Sequence, residues 1–575
     1  MKGNNHIRWL LCAAACLLAA LVYLNTIHGD FLWDDLMLVR DNPYIKHPTH
    51  LHHLVQKTYY SVFRELTYRP VCTLTYFGDF ALWGLNPKGF HITNIVLHIL
   101  NVLLLFIFAR RLSGRYETAF VAAVLFAVHP VHSEAVAGIT FREDALCLLF
   151  VFLSLNFYLS ARSEKFREWK WIVLSLFSFF LAVFSKETAV VLPAVILMLE
   201  LCVPATEKSR TRKLFVLSGY TAAAAGYLVF RLFLFRNPSE HWVYHGRSFL
   251  QTMNLVPSAL LQYFKLLIFP VKQCVQYMPS DISYGIWGCL FALFLLFLLL
   301  LFYFKFRDVL FGLIWFLLFL LPVSNIIPIG VIMAERYLYI PNAGFFLFVS
   351  QLYGKTFKNN DASAGRRIIN FSIILLIIGL LGALTVYRNE TWRDESVFWK
   401  EAASCSPLSA IAHNNLGLVY LNNGDITSAE SSFNKAIQLA DSVPLKEDRY
   451  QVSNRAHVNL GIVYARQNRM RDARHEFETA IRVAPGYVRA RLNLAVLFME
   501  TGKMKEAVAE FNVALALEPD NLRARLYLAH IYLKLGEFEN AETEVEKILE
   551  IDPKNGEALA LLKIIQKMKP QNKKD

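Results

Sequence analysis

Eleven apolar runs in the first two thirds of this 575-residue chain limit its fold more than any other feature. A helix needs about 20 mostly apolar residues to cross the hydrocarbon core of a bilayer. The runs therefore predict a polytopic bundle of membrane-spanning α-helices. They lie near 7–24, 92–110, 117–135, 144–160, 171–184, 188–203, 213–235, 285–304, 309–328, 335–353 and 368–387.

Composition divides the chain in two. Hydrophobic residues make up 55% of it and charged residues 18%, below the roughly 25% charged residues of soluble domains. Residues 401–575 contain 23 Lys and Arg against 23 Asp and Glu, so the whole net charge of +13 lies in 1–400. A basic membrane part followed by a neutral, soluble part excludes a soluble enzyme, a disordered scaffold and a typical nucleic-acid-binding protein.

The cysteines show no recognisable pattern, because no C-x-x-C pair is present and five of the eight lie in apolar runs. We therefore predict neither a disulfide framework nor a zinc site. Those five are Cys12, Cys16, Cys147, Cys202 and Cys289.

A weaker apolar segment at 254–270 determines the predicted topology. Pro257 and Lys265 interrupt it. If it does not span, every basic cluster faces the cytoplasm, as the positive-inside rule requires. We therefore predict eleven spans, a cytoplasmic N-terminus and an extracytoplasmic C-terminal part. The alternative for the first run, a cleaved signal peptide, would deliver the residues after it to the same side of the membrane. The basic clusters lie at 110–115, 162–170, 208–213, 305–307 and 355–367.

The predicted topology also places the unusual polar segments together on the outer face, as an active site requires and a scaffold does not. They are 31–35 (FLWDD), 129–134 (HPVHSE), 141–144 (FRED), 185–188 (SKET), 236–245 (RNPSEHWVYH) and 334–337 (AERY).

The last third of the sequence repeats itself every 34 residues. Ala456, Ala490 and Ala524 begin equivalent segments. Small residues at close helix contacts, each followed by an aromatic residue that fills the next gap, are typical of tetratricopeptide repeats. Such arrays expose a groove that holds a peptide or a partner protein, although a mere spacer is the alternative. The predicted repeats are 412–444, 456–485, 490–519 and 524–553.

We therefore expect an all-α protein with two domains. Residues 1–390 form the membrane domain, which has a long first extracytoplasmic loop at 28–91. Residues 391–575 form an extracytoplasmic α-solenoid.

Asp34 and Asp35 open the long loop, directly after the first membrane helix. Adjacent carboxylates at an interface are costly unless they are solvated or used. One of them is a candidate general base for an acceptor hydroxyl. The alternative is that the pair caps the next segment or binds an arginine of the loop.

His129 and His132 are three residues apart, with Glu134 close by, and a metal held by the histidine pair is one interpretation. Pro130 intervenes and no third ligand is apparent, so we favour hydrogen bonding at a helix end and predict no metal.

Four basic residues on the outer face have carboxylates nearby in the sequence or on the same face. Ion pairing is one interpretation; a clamp for a phosphate is the other. The sequence lacks the glycine-rich motifs of a soluble nucleotide donor site. The bases are Arg69, Arg142, Lys186 and Arg336, and the carboxylates are Glu143, Asp144, Glu187 and Glu335.

Several motifs, in this order along the chain, resemble those of the transmembrane O-mannosyltransferases that carry tetratricopeptide repeats, which are similar to other GT-C glycosyltransferases. The motifs are Asp34-Asp35, Asp41-Asn42-Pro43, Arg69-Pro70, 89–98 (GFHITNIVLH), 129–138 (HPVHSEAVAG), Arg142, 185–187 (SKE), 334–341 (AERYLYIP) and 392–396 (WRDES).

The resemblance implies transfer of a sugar, which is mannose in this family, from a polyprenyl-phosphate carrier such as dolichyl phosphate to Ser/Thr hydroxyls of extracytoplasmic β-sandwich domains. Asp34, with Asp35 beside it, would be the base. Arg142 and Arg336, aided by Arg69 and Lys186, would neutralise the leaving phosphate. Direct displacement would invert the sugar and needs neither metal nor other cofactor. Supporting roles would fall to His129, His132, Glu134, Asp144, Glu187 and Glu335.

The predicted function is thus that of a multi-pass membrane glycosyltransferase with its repeats outside the cytoplasm. They would lie in the periplasm of a prokaryote or the endoplasmic reticulum lumen of a eukaryote, and the short repeat array favours a prokaryotic or divergent relative. The expected partners are the lipid-linked sugar, membrane lipid and a protein in the repeat groove, not nucleic acid. Two alternatives stay open: a GT-C transferase acting on lipid or surface polysaccharide, and a non-enzymatic repeat scaffold anchored in the membrane.

Overall fold

The computed structural model describes most of the chain. The segment 236–245, predicted above to lie on the outer face, is outside the described residues. These are 3–56, 59, 68–163, 168–203, 210–235, 248–279, 281–282, 285–326, 329, 331–356, 364–440 and 446–568.

The described residues form helices joined by turns and contain no β-strand, which confirms the all-α prediction. The chain divides into two compact units, Met1–Pro407 and Leu408–Asp575. The first contains sixteen described α-helices. These are α1 (Gly3–Leu21), α2 (Pro70–Trp83), α3 (Pro87–Ser113), α4 (Tyr116–Val128), α5 (Ser133–Ala137), α6 (Arg142–Ser163), α7 (Glu168–Ser185), α8 (Leu192–Cys202), α9 (Arg210–Val229), α10 (Phe249–Met253), α11 (Val256–Ile268), α12 (Ile286–Lys305), α13 (Arg307–Leu320), α14 (Tyr339–Thr356), α15 (Ala364–Asn389) and α16 (Glu395–Cys405).

Fewer than eleven of the described helices are long enough to cross a membrane. Within the described ranges, six helices are long and apolar enough to cross a membrane. A seventh arises if α4 and the segment Pro130–Ala137, which meet at 54°, form one bent span. The predicted spans at 188–203 and 335–353 each begin with a 3-10 turn, which shortens the α-helix that follows. The total of eleven spans stays a prediction.

The segment predicted not to span, 254–270, forms α11, a helix of 13 residues. At 1.5 Å per residue such a helix is shorter than the hydrocarbon core of a bilayer.

A disulfide joins Cys274 to Cys405 across 131 residues. The prediction that the chain has no disulfide framework is wrong in this respect, because widely separated cysteines form no local pattern that a sequence reveals. The bond fastens α16 to the segment that follows α11. It therefore assigns α16 to the first unit, which ends at residue 407 instead of the predicted 390.

Removing this disulfide by the paired substitution Cys274→Ser and Cys405→Ser should lower the free energy of unfolding by about 2–4 kcal/mol, because the crosslink restricts a long loop of the unfolded chain. Thermal unfolding in detergent measures the change. Cys289→Ser is the control, since Cys289 is an exposed free thiol. An equal loss in the control would contradict the prediction.

The second unit is an array of helix pairs. Four pairs and a final helix follow one another along the chain. They are α17 (Ala410–Asn422) with α18 (Ile426–Ala440), α19 (Lys446–Arg466) with α20 (Met470–Val483), α21 (Val488–Glu500) with α22 (Met504–Leu517), α23 (Leu522–Leu535) with α24 (Phe538–Ile551), and α25 (Gly556–Met568).

The glycines at matched repeat positions allow close contact with an aromatic ring. A Cβ on Gly461 would lie 2.5 Å from the ring of Phe477, and one on Gly417 would lie 2.6 Å from Phe433. Both phenylalanines are buried. The predicted register of small and aromatic residues is therefore confirmed as a packing contact between the two helices of a repeat.

Gly461→Ala should destabilise the repeat unit by about 1–3 kcal/mol, because the added methyl group displaces the Phe477 ring in a packed core. Gly486→Ala is the matched control, since a Cβ there meets no atom within 4 Å. Thermal unfolding of both variants, followed by circular dichroism, provides the measurement. Equal melting of Gly461→Ala and wild type would contradict this packing argument.

Candidate active site

The loop after α1 is positioned by an aromatic cluster around Trp33. Trp33 has a φ of 50°, in the left-handed region that a residue with a large side chain rarely adopts. Its ring contacts Phe141, Phe398 and Trp399 at centroid distances of 6.2, 5.7 and 5.9 Å. Such strain persists only where the surroundings hold it. The cluster thus determines where the next two residues, Asp34 and Asp35, are presented.

Asp35 is a buried hydrogen-bond acceptor. Its Oδ1 accepts from the backbone N and the Oγ1 of Thr140, at 2.8 and 2.7 Å. Its Oδ2 accepts from the backbone N of Leu32 at 3.1 Å. Burial raises the pKa of Asp35 to about 6, although these hydrogen bonds oppose the shift. The carboxylate fastens the loop to the segment before α6, and it makes no capping hydrogen bond to the helical turn that follows it.

Asp34 differs from its neighbour. It is partly exposed, and its carboxylate has no hydrogen bond or ion pair within the part of the chain that the structure describes. Burial raises the pKa of Asp34 above its ordinary value; the charge of Arg336 opposes this shift and that of Glu143 adds to it. Asp34 is therefore an available carboxylate with a raised pKa, beside an arginine.

A network of ion pairs joins α2, α6 and the end of α7. Arg69, just before α2, pairs with Glu143 and binds Glu187 through two nitrogens, at 2.7 and 3.1 Å. Lys186, just after α7, lies 3.1 Å from Glu143 and 2.5 Å from Asp144. The structure thus brings together five of the predicted residues from three distant stretches of sequence, with Glu143 at the centre.

These pairs affect the pKa values of Lys186 and Glu187, which lie between two predicted spans. Burial would lower the pKa of Lys186, but Asp144 and Glu143 raise it above its ordinary value. Burial would raise the pKa of Glu187, but Arg69 lowers it to about 2. Both side chains therefore stay charged near neutral pH.

Arg336 pairs with Glu134, which receives hydrogen bonds from both the guanidinium and the backbone N of Arg336. The guanidinium lies 4.3 Å from the centre of the Phe141 ring, in contact suited to a cation–π interaction. The side chain of Arg336 is 13% exposed and that of Arg69 is 14% exposed, whereas that of Lys186 is only 3% exposed. The two arginines thus lie nearer the open side of the network.

Arg142 lies in the interior with none of its side chain exposed. Its Nη1 lies 2.5 Å from Oδ2 of Asp79 on α2, and its Nη2 donates to the carbonyl oxygen of Phe90 at 3.1 Å. Nε and Nη1 also donate to Ile139 and Thr75. These surroundings favour a structural role for Arg142 over the predicted binding of a phosphate.

His129 and His132 use both ring nitrogens within the protein. Nδ1 of His129 accepts from the backbone N of Val131, so its Nε2 donates to the carbonyl oxygen of Leu267. Nδ1 of His132 donates to Phe126, so its Nε2 accepts from Asn342. Among the described residues, no group of three or more His, Cys, Asp or Glu could hold a metal ion.

Glu335 is fully buried and connects elements away from the open site. It accepts from the backbone N of Cys274 at 2.7 Å and from the hydroxyl of Tyr277 at 2.8 Å, and it pairs with Arg388 at 3.4 Å. Glu335 therefore supports the disulfide-linked segment, while the adjacent Arg336 contributes to the site.

Sequence reasoning missed Asp79, Arg388 and the disulfide. Asp79 lies in an otherwise apolar helix, and an isolated acid in such a helix signals a partner elsewhere without naming it. Arg388 ends a predicted span, where a basic residue is common and carries little information.

Matches to family models cover both parts of the chain. A dolichyl-phosphate-mannose-protein mannosyltransferase model matches residues 74–231. Three tetratricopeptide repeat models match 408–486, 458–521 and 506–565.

Curated relatives are named as protein O-mannosyl-transferases. A protein O-mannosyl-transferase of Caenorhabditis elegans is 28% identical over 76% of this chain and 64% of its own length. A protein O-mannosyl-transferase of Homo sapiens is 28% identical over 72% of this chain and 64% of its own. The chain therefore spans less than two thirds of the length of these relatives.

Solved structures with similarity include a tetratricopeptide repeat protein from Parabacteroides merdae, 24% identical, with a TM-score of 0.25, over 28% of this chain and 59% of that one. Another, from Thermus thermophilus, is 23% identical, with a TM-score of 0.24, over 36% of this chain and 98% of that one. The family and relative matches confirm that this chain resembles the protein O-mannosyltransferases in which a mannosyltransferase domain precedes tetratricopeptide repeats.

Proposed function

We propose that the protein transfers mannose from a polyprenyl-phosphate carrier to Ser/Thr hydroxyls of proteins outside the cytoplasm. The observation that carries the proposal is the contrast between Asp34 and Asp35. Asp35 is committed to three hydrogen bonds, whereas Asp34 is partly exposed and close enough to Arg336 for that charge to affect its pKa. A base beside a cation is the pairing that displacement of a phosphate requires.

In this mechanism the acceptor hydroxyl oxygen attacks C1 of the sugar while its proton passes to a carboxylate oxygen of Asp34. The bond between C1 and the phosphate oxygen breaks, and the electron pair leaves with the polyprenyl phosphate. Arg336 and Arg69 neutralise that phosphate, because guanidinium groups bind phosphate oxygens in pairs. Their carboxylate partners keep them positioned in the absence of substrate. No metal or other cofactor enters this scheme.

An apolar cavity of about 370 Å³ is suited to the first few isoprene units of the donor's polyprenyl chain. Leu260 and Tyr263 of α11 and Leu317 of α13 contribute to its lining. The backbone N of Ala334 donates to the Tyr263 hydroxyl at 3.4 Å, so the cavity wall is linked to the segment that carries Arg336. A lipid tail in this cavity would place its phosphate towards the ion-pair network.

The location outside the cytoplasm rests on two properties. The first unit contains helices apolar enough to cross a membrane. Structural disulfides such as that between Cys274 and Cys405 persist in oxidising compartments. Both agree with the topology expected from the basic loops, in which the site, the disulfide and the repeats share the outer face.

The test is transfer of radiolabelled mannose by the detergent-purified protein from dolichyl-phosphate mannose to β-sandwich domains and Ser/Thr peptides. Label on a protein hydroxyl supports the proposal. Label that enters only a lipid or polysaccharide fraction overturns the protein acceptor and supports the first alternative. Loss of donor at the rate seen in a reaction without enzyme, together with no labelled product for any acceptor, favours the scaffold.

A further inference from the structure

Three first helices of the repeat unit each carry a stripe of side chains outside the repeat core. In α21, Ala490 and Leu494 are buried in the core, whereas the residues at i, i+4, i+7 and i+11 from Arg489 form another face. Except for the buried Asn459, the members of the stripes are exposed or half-buried. The stripes are Arg455-Asn459-Ile462-Arg466 on α19, Arg489-Asn493-Val496-Glu500 on α21 and Arg523-Tyr527-His530-Lys534 on α23.

Hydrogen bonds join the stripe of α19 to the first helices on either side of it. Asn459 donates to Oδ1 of Asn414 on α17 at 3.0 Å, and it accepts from Nη2 of Arg489 on α21 at 3.4 Å. Arg466 donates to the carbonyl oxygen of Leu421, also on α17, at 3.2 Å. The first helices α19 and α21 therefore lie side by side, and the 34-residue repeat predicts the same arrangement for α21 and α23.

An arginine heads each stripe, and we call Arg455, Arg489 and Arg523 the arginine row. They recur every 34 residues and are all exposed. Within the described part of the chain, none of the three forms an ion pair with a carboxylate. Four other arginines of the repeats do form such pairs: Arg469 with Asp472, Arg474 with Glu478, Arg491 with Glu510 and Arg525 with Glu544.

The spacing of the row suits one backbone conformation. Helices packed side by side lie about 8–10 Å apart. A polyproline II segment has three residues per turn and rises about 3.1 Å per residue, so every third side chain returns to the same face after about 9 Å. An extended β-strand does not match, because its third residue points to the opposite face.

We propose that the arginine row binds an acidic peptide segment in the polyproline II conformation, with Asp or Glu at every third position. Each arginine offers a planar pair of donors to one carboxylate. Asn493, one helical turn after Arg489 on the same stripe, is half-buried and donates its Nδ2 to the carbonyl oxygen of Arg489 at 2.7 Å. Its Oδ1 is suited to accept from the peptide backbone. The proposal goes beyond sugar transfer, and it holds or fails independently of that activity.

The experiment compares two labelled peptides of identical composition by fluorescence anisotropy with the full chain in detergent. One has glutamate at every third position; the other has the same glutamates at alternate positions. We expect the first to bind about tenfold more tightly, because only its carboxylates meet all three arginines. Raising the salt concentration should weaken the binding of both peptides.

Arg489→Glu, at the centre of the row, should weaken binding of the first peptide by about tenfold or more, because it replaces an attraction with a repulsion. Arg482→Glu is the matched control: it makes the same charge change at an exposed residue of α20 that bonds only to Thr479 among the described residues. Circular dichroism melting verifies that both variants fold.

Three results would overturn the proposal. Equal affinity for the two peptides, or an equal loss in Arg482→Glu, would mean that net charge alone attracts the peptide. Absence of binding to the wild-type chain would mean that the row has no such ligand.

Discussion

Replacing Asp34 by asparagine should slow mannosyl transfer by about 10²–10⁴-fold, the usual contribution of a general base. The amide is isosteric but cannot accept the proton of the acceptor hydroxyl. Because the Asp34 side chain has no hydrogen bond among the described residues, its loss should leave the fold intact. Initial rates at saturating donor, together with thermal unfolding midpoints, separate the two effects.

Asp35→Asn is the matched control, since it makes the same chemical change one residue away. It should act on stability, because the amide can no longer accept three hydrogen bonds from Thr140 and Leu32 and leaves buried donors unsatisfied. The opposite outcome would be an Asp34→Asn variant that is active and an Asp35→Asn variant that is inactive but fully stable. That result would identify Asp35 as the base.

Arg142→Met should destabilise the first unit by about 3–5 kcal/mol, because it leaves Asp79 buried without its partner. The double variant Arg142→Met with Asp79→Leu should recover most of that loss, since an apolar pair of similar volume replaces the ion pair. Thermal unfolding in detergent measures both variants.

Arg393→Met is the control for this substitution. The Arg393 side chain is 53% exposed, and its ion pairs with Glu390 and Asp394 lie at the surface. This change should hardly alter the melting temperature. If Arg142→Met abolished transfer while the protein melted at the wild-type temperature, Arg142 would bind the donor phosphate, as the sequence resemblance implies.

Periodic features of the sequence were the most informative. The 34-residue step predicted helix pairs with small residues at their close contacts, and the contact between Gly461 and Phe477 is one of these. Long apolar runs predicted the helices, but not which of them break. The α4 region bends after Val128 because Pro130 follows, and a pattern of hydropathy does not contain that geometry.

The sequence predicted which residues belong to the candidate site, but not which of them form ion pairs and hydrogen bonds with one another. The sequence indicated that Arg336 and Glu134 lie on one face, and the structure pairs them. It could not separate Asp34 from Asp35, because the distinction depends on Thr140, more than 100 residues away. The sequence also did not reveal that Arg142 pairs with Asp79, because no local feature around Asp79 indicates its partner.

The aromatic cluster around Trp33 has a consequence for the order in which the protein matures. Phe398 and Trp399, which hold Trp33 in its left-handed conformation, follow the last predicted span in the chain. During synthesis every membrane helix is therefore complete before the loop that presents Asp34 can settle. We expect a nascent chain released at residue 390 to insert fully into the membrane and yet remain inactive. The lipid-linked sugar would then be used only after α16 has reached the far side of the membrane.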